Sequence, residues 1–133
     1  MIVRDKASLY GTDAEARGEG WETTRLLTGR DRMGFSLHET VISEGTELRL
    51  RYRHHREANY CLSGEGEVLD IASGTTWTLL PGTLYALERH DEHIVRALRG
   101  DLITICVFNP PIYGDELPET GGYGPSLIGR ETL

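Results

Sequence analysis

Residues 51–68 read RYRHHREANYCLSGEGEV and combine two adjacent histidines, a glutamate and closely spaced glycines. The residues on either side of the glycines have the composition of two β-strands joined by a turn near Gly64–Gly66. Imidazole and carboxylate side chains are also common metal ligands. The stretch therefore predicts a hairpin with a candidate metal site, and His54, His55 and Glu57 are the first side chains to consider as ligands.

The chain from Trp21 onward continues in the same way. Short segments rich in β-branched and apolar residues are separated by turn signals, and the segments at 34–42 and 46–53 alternate between two faces. Further segments of this kind are WETTRLLT, TTWTLL, LYAL, EHIVRAL and DLITICVF, and the last two flank a turn expected at residues 99–101. Eight or more short strands with little helical periodicity predict an all-β sandwich or barrel.

The composition fits one domain spanning residues 1–133. The 14 Lys and Arg face 21 Asp and Glu, giving a formal net charge of −7, and this acidity argues against nucleic-acid or anionic-membrane binding. Because no secretory leader and no membrane-spanning apolar run are visible, we expect a soluble cytoplasmic protein. Cys61 and Cys106 match no zinc-binding spacing, so we expect reduced core thiols.

Two segments lack a strand pattern. Residues 11–20, GTDAEARGEG, are polar and glycine-rich and predict a loop or a short helix. Residues 110–133 are rich in proline and glycine, and a disordered end is the usual expectation for such a terminus. Apolar anchors within it would instead let it form a lid over a barrel mouth, and both alternatives stay open. Those anchors are Ile112, Tyr113, Leu117 and Tyr123.

The order of the predicted strands fits a cupin, a double-sheet β-barrel of the jelly-roll type with a ligand or metal site in its lumen. The first cupin motif is usually Gly, five residues, His-x-His, three or four residues, Glu, six residues and Gly. Here Gly45, Glu57 and Gly64 occupy their positions, whereas Arg51 and Arg53 replace the two histidines. The barrel frame is kept, but most of the usual ligands are replaced.

The second cupin motif, Pro-Gly followed by a histidine, is present at residues 81–82 with Tyr85 in the histidine position. A tyrosinate can bind a cation, whereas arginine cannot. The segment LERHDEHIV adds His90 and His93 just downstream. A carboxylate, a phenolate and an imidazole form a hard, oxygen-rich set with open positions, which suits iron or manganese better than a closed structural zinc.

The chain resembles the ectoine synthases, a cupin family of cytoplasmic bacterial enzymes. The resemblance runs from MIVRD at the start to about Tyr123 and rests on HHREANYCLSGEGEV, PGTLYALERHDEHIVRA and ICVFNPP, in the same order and at near-identical spacing. It implies a hydro-lyase that closes the ring of N-γ-acetyl-L-2,4-diaminobutyrate, with loss of water, to give ectoine, a compatible solute made under osmotic stress. It also implies a homodimer.

The resemblance further implies a ferrous iron, Fe²⁺, held by Glu57, Tyr85 and His93. Of the opening stretch, only Glu57 would then touch the metal. The family's pocket also matches two further groups of residues. The implied catalytic residues are Tyr52, His55, Asp91 and Glu116, and which of them relays protons stays open. The implied substrate-binding residues are Trp21, Arg25, Thr40 and Phe108.

Two departures each keep one alternative open. The family usually has a histidine two positions after the pocket glutamate, where this chain has Pro118. This favours, as one alternative, a paralogue that acts on a related amide or amidine. The arginines in both His-x-His positions favour the other alternative, a non-catalytic cupin that binds a small polar solute and holds no metal.

Overall fold

The computed structural model describes residues 1–126, and residues 127–133 lie outside the described part. The strands are β1 (Glu15–Gly18), β2 (Trp21–Leu27), β3 (Ser36–Ile42), β4 (Glu47–Leu50), β5 (Arg56–Asp70), β6 (Thr75–Leu79), β7 (Leu84–Leu87), β8 (His93–Asn109), β9 (Pro118–Glu119) and β10 (Gly122–Tyr123). Two short 3₁₀ helices, Lys6–Leu9 and Gly29–Asp31, accompany them. Within residues 1–126, no helix has the length and apolar character needed to cross a membrane. The predicted all-β class is confirmed.

Two long strands, β5 and β8, connect the two halves of the barrel. One half has the strand order β1-β2-β3-β8-β5-β7, and the other has the order β4-β8-β5-β6. All neighbouring strands are antiparallel. Since β5 and β8 each bend from one half into the other, the sheet curls around a central cavity.

The turns predicted near Gly64–Gly66 and at residues 99–101 are wrong. Both places lie inside the long strands β5 and β8, where the pairing register shifts between Cys61 and Gly66. Gly64 has φ 85° and Gly100 has φ 71°, and a side chain at Gly64 would collide with the backbone of Asp101. A glycine with positive φ occurs in bulges as well as in turns, and these two glycines lie in bulged strands.

Two element boundaries also differ from the prediction. Part of the loop or helix expected at 11–20 is strand β1, which pairs with β2 across the turn at Glu19–Gly20. The strand expected at 46–53 ends at Leu50. The amide of Arg51 donates instead to the carbonyl of Gly121, at 2.8 Å. The chain after β4 is therefore paired with the tail rather than with the barrel sheet.

Buried apolar side chains form two clusters, and Leu50 and Tyr85 pack against both of them. The first cluster contains Ile42, Cys61, Val68, Leu79, Val95, Ala97 and Leu102. The second contains Tyr52, Leu87, Cys106, Phe108 and Ile112. Both cysteines are buried and free, which confirms the expectation of reduced core thiols.

The segment after β8 packs back onto the barrel. Ile112 is fully buried, its amide donates to Ser36 Oγ at 2.9 Å, and its carbonyl accepts from the amide of Gly29 at 2.8 Å. Beyond it, β9 and β10 form a small hairpin that reaches the cavity. Residues 110–126 are thus placed against the barrel, and the remainder of the predicted lid or tail, residues 127–133, lies outside the described residues.

Candidate active site

A cavity of about 300 Å³ occupies the barrel interior. Its walls come from six barrel strands and from the hairpin of the tail. The strands contribute Trp21, Thr23, Arg25, His38, Thr40, Ile42, Leu48, Leu50, Glu57, Asn59, Tyr85, Thr104, Cys106 and Phe108, and Tyr52 follows β4. The tail contributes Glu119, Gly121, Gly122 and Tyr123.

Two of the predicted metal ligands, Glu57 and Tyr85, lie on adjacent strands in the cavity wall. Glu57 is on β5 and Tyr85 is on β7, where it pairs with Asn59. Burial raises the pKa of Glu57 to about 8, partly offset by hydrogen bonding with Asn59 and Cys106. Burial, together with the charge of Glu57, raises the pKa of Tyr85 well above 10. Both anions therefore need a nearby cation to be stable in this interior.

The third predicted ligand, His93, begins β8 and is almost fully buried. Its Nδ1 lies 2.8 Å from the carbonyl oxygen of Asp91. Since a carbonyl only accepts, Nδ1 carries the proton and Nε2 is left with a free lone pair. Nε2 is buried and has no hydrogen-bond partner among residues 1–126. A backbone carbonyl on one ring nitrogen and an unpaired lone pair on the other are typical of a metal-binding histidine.

These three side chains fit a hard cation. The ring centroids of Tyr85 and His93 are 6.3 Å apart, and the charge of Glu57 acts on Tyr85. In the described part of the chain, no three side chains drawn from His, Cys, Asp and Glu alone converge on one point. A three-ligand site built on Glu57 and His93 would therefore take its third donor from another side chain, and the phenol of Tyr85 lines the same cavity as Glu57. The resulting donor set of two oxygens and one nitrogen suits iron.

Arg25 supplies a positive charge to the same cavity. It lies on β2, is 9% exposed, and lines the cavity. Its Nη2 donates to the hydroxyl of Tyr123 at 3.4 Å, and its guanidinium carbon lies 5.8 Å from the centre of that ring. Within residues 1–126 its Nε has no hydrogen-bond partner and no carboxylate forms an ion pair with it. A buried guanidinium without a counter-ion is suited to bind an anionic ligand group.

Aromatic rings make one wall of the cavity apolar. Tyr52 contacts Phe108 edge to face, with ring centroids 5.1 Å apart, and stacks on Tyr123 at 6.1 Å. Phe108 and Tyr123 also meet edge to face, at 5.7 Å. Because Tyr123 belongs to the tail hairpin, this hairpin completes an apolar wall that limits water in the cavity.

Comparison with known proteins shows the family of this chain. The sequence model of the ectoine synthases matches residues 1–127. The chain belongs to the ectoine synthase family. The L-ectoine synthase of Desulfosudis oleivorans is 48% identical over 122 residues, which cover 92% of this chain and 95% of that protein.

Superposition on solved structures supports the same family assignment. The ectoine synthase from P. lautus superimposes with a TM-score of 0.81 at 43% identity, covering 86% of this chain and 81% of that one. The cupin domain of a transcriptional regulator from Enterobacter cloacae superimposes with a TM-score of 0.59 at 17% identity, covering 69% of this chain and 98% of that one, and shows the fold alone. The predicted cupin barrel, the ectoine synthase family and the hydro-lyase class are confirmed.

Most of the site residues predicted from the ectoine synthase resemblance are brought together by the fold. The ones that line the cavity are Trp21, Arg25, Thr40, Tyr52, Glu57, Tyr85 and Phe108. His93 is joined to them through ring contacts with Tyr52 and Tyr85, each at 6.3 Å between centroids. Their roles remain predictions.

Three predicted catalytic residues lie outside the cavity wall. His55 is buried behind the wall, with ring centroids 6.1 Å from Phe108 and 6.2 Å from Tyr123, and burial lowers its pKa to about 4. Asp91 contacts His93 through its backbone carbonyl, and its own carboxylate accepts from the amide of Arg89. Glu116 accepts from two amides of its own loop, at residues 113 and 114, both at 2.7 Å. Asp91 and Glu116 thus hold backbone in place.

Several cavity residues were not predicted. His38, Asn59 and Cys106 are buried and line the cavity, and burial lowers the pKa of His38 to about 3. In the sheet, His38 and Asn59 both pair with Cys106. Strand alternation was the available signal, because once β3, β5 and β8 are aligned these residues share the face of Thr40 and Glu57. Glu119 gave no such signal, since its position depends on how the tail folds.

Proposed function

We propose that this chain closes the ring of N-γ-acetyl-L-2,4-diaminobutyrate to form ectoine with loss of water, with Fe²⁺ bound in the barrel. The observation that carries the proposal is the set of Glu57, Tyr85 and His93, in which Nε2 of His93 has no hydrogen-bond partner among residues 1–126, beside a cavity that is also lined by the guanidinium of Arg25. Membership of the ectoine synthase family supports the same substrate.

Glu57, Tyr85 and His93 would hold the iron. When bound, Fe²⁺ supplies a Lewis acid for the amide carbonyl oxygen of the substrate, and no change of oxidation state is needed. Asp91 fixes the His93 ring through its carbonyl. With the cation bound, the carboxylate of Glu57 and the phenolate of Tyr85 would supply the negative charge that a divalent ion requires.

Other residues of the chain bind and orient the substrate. Arg25 pairs with its carboxylate, and Trp21 and Phe108 form walls against its carbon chain. Thr40 offers a hydroxyl held 2.8 Å from that of Thr23. Since the reacting amine and amide belong to one molecule, the main task of the cavity is to hold a curled conformer. Exclusion of water by the aromatic wall favours the dehydrated ring.

The wider setting is proposed on the family resemblance. We place the protein in the cytoplasm as a homodimer that makes a compatible solute under osmotic stress. An exposed apolar pair on the outside of the barrel, Tyr60 on β5 and its partner Leu84 on β7, supports pairing of two copies. The molar mass in solution, measured by light scattering, tests the dimer.

The proposed reaction is tested by a proton NMR time course. Purified, iron-loaded protein is mixed with N-γ-acetyl-L-2,4-diaminobutyrate, and the acetyl methyl signal is followed. Appearance of the cyclic product supports the proposal. Bound iron with no product would point to a paralogue with another amide substrate, and no product with no iron would point to a solute-binding cupin.

Arg25→Ala is expected to lower kcat/KM by about 100-fold, mostly through KM, because two hydrogen bonds from a guanidinium to the carboxylate are worth about 3 kcal/mol. Arg25→Lys should recover part of the loss, since it keeps the charge but not the two-pronged geometry. Arg17→Ala, an exposed arginine on β1, is the control. Steady-state kinetics with an unchanged KM in Arg25→Ala would remove Arg25 from substrate binding.

A further inference from the structure

Glu119 is a second carboxylate of the cavity lining, in addition to Glu57. It lies on β9 in the tail hairpin and lines the cavity. Its Oε1 is 3.1 Å from Nε2 of His54. Its Oε2 is buried and has no hydrogen-bond partner among residues 1–126. A buried carboxylate oxygen without a partner is costly, and such a cost is typical of a site that a ligand completes.

The charged side chains of the cavity lining include one carboxylate that could bind the ammonium group of the substrate. In the described part of the chain, Glu57 and Glu119 are the carboxylates of the lining. Glu57 belongs to the proposed iron set, and Arg25 is the cation proposed for the substrate carboxylate. The substrate also carries an α-ammonium group, which needs an anionic partner and must lose a proton before it can attack the amide.

We infer that Glu119 binds the α-ammonium group of the substrate and accepts the proton that this group releases. The inference rests on the proposed function and adds a residue to it. His54 is a positioning residue in this scheme. Its Nε2 forms a hydrogen bond with Oε1 of Glu119, so Oε2 is the oxygen that remains for the substrate. The His54 side chain is 40% exposed and that of Glu119 is 23% exposed, so the pair joins the cavity to the solvent.

The proton balance of the step is complete without an added reactant. Glu119 takes one proton from the ammonium group, and the freed electron pair forms the bond from nitrogen to the amide carbon. The nitrogen then sheds a second proton. The former carbonyl oxygen gains both protons, one of them returned by Glu119, and leaves as water with the electron pair of its bond to carbon. The ring keeps two N–H groups and the positive charge as an amidinium.

The position of Glu119 depends on local structure of the tail. Glu119 pairs with Gly122 across the turn at Thr120–Gly121, and the carbonyl of Gly121 is held by the amide of Arg51. The departure from the family at Pro118 falls on an exposed residue next to Glu119. The hairpin therefore directs Glu119, rather than residue 118, into the cavity.

Glu119→Gln keeps the size of the side chain and one hydrogen bond to His54 but cannot accept the proton. We expect kcat to fall by at least about 100-fold, while iron content and melting temperature remain those of the wild type. Glu19→Gln, an exposed glutamate in the turn before β2, is the matched control. A wild-type kcat in Glu119→Gln would overturn the inference.

Chemical rescue separates proton transfer from a structural role. Glu119→Ala is expected to be as slow as Glu119→Gln and to regain activity, in a concentration-dependent way, when acetate or formate is added. Slow variants that neither ion rescues would overturn the assignment of Glu119 as the proton acceptor. If wild-type protein gave no product at all, the proposed function would fail instead, so the two failures are distinguishable.

Discussion

We expect a loss of bound iron and a fall in turnover rate of at least about 100-fold in each of three variants, Glu57→Gln, Tyr85→Phe and His93→Gln. The barrel should stay folded in all three. Tyr85→Phe deletes only the hydroxyl and keeps the ring that packs between the two core clusters. Glu57→Gln removes a carboxylate whose burial without a cation is unfavourable. Neither change therefore threatens the core, and a loss of iron reports on ligation.

Iron content by atomic absorption and turnover by NMR are the two measurements for these variants, with circular dichroism to show that each is folded. Glu88→Gln is the matched control, because Glu88 directly follows β7 and its side chain is 68% exposed. A variant that keeps full iron and full rate would remove its residue from the ligand set.

Truncation after Gly114 is expected to lower kcat/KM by at least about 100-fold while the barrel stays folded. It removes Glu119, Gly121, Gly122 and Tyr123 from the cavity wall. The aromatic wall is then open, Arg25 loses its contact with Tyr123, and water enters. The core cluster that contains Ile112 remains.

A second truncation, after Asn109, separates the role of the tail hairpin in the cavity wall from a role of the tail in stability. It also removes Ile112, which is fully buried, and the loss of such a side chain costs about 2–5 kcal/mol. Thermal melts should therefore show a large drop for the cut after Asn109 and a small one for the cut after Gly114. Thr120→Ala, an exposed change in the same hairpin, should leave melting temperature and rate unchanged. A wild-type rate after truncation at Gly114 would show that the hairpin is not needed.

The barrel could be predicted from local sequence because its strands alternate. Leu48 and Leu50 face the cavity, whereas Arg49 between them donates to Glu92 outside it. The connection between the two halves could not be predicted this way. Gly64 and Gly100 have the positive φ of turn glycines, and only the pairing of β5 with β8 shows that the strands continue through them as bulges.

The candidate site, like the fold, could be predicted from the sequence only in part. The positions of Glu57, Tyr85 and His93 followed from motif spacing and family resemblance, because each motif lies on one strand or at its end. The carboxylate of Glu116 is one of four candidates for the proton relay, which stays a prediction, and in the structure it accepts from amides of its own loop. Glu119, three residues later, takes the place in the cavity. Which loop carboxylate enters a cavity depends on the hairpin conformation, and no spacing rule encodes it.

The measurement that tests the central claim most directly is the rate of ring closure as a function of bound iron. Protein stripped with a chelator is mixed with N-γ-acetyl-L-2,4-diaminobutyrate, Fe²⁺ is added back in steps, and the cyclic product is followed by proton NMR. We predict no turnover without iron and a rate that rises with iron content until each chain holds one ion. Full turnover by the metal-free protein would contradict the account.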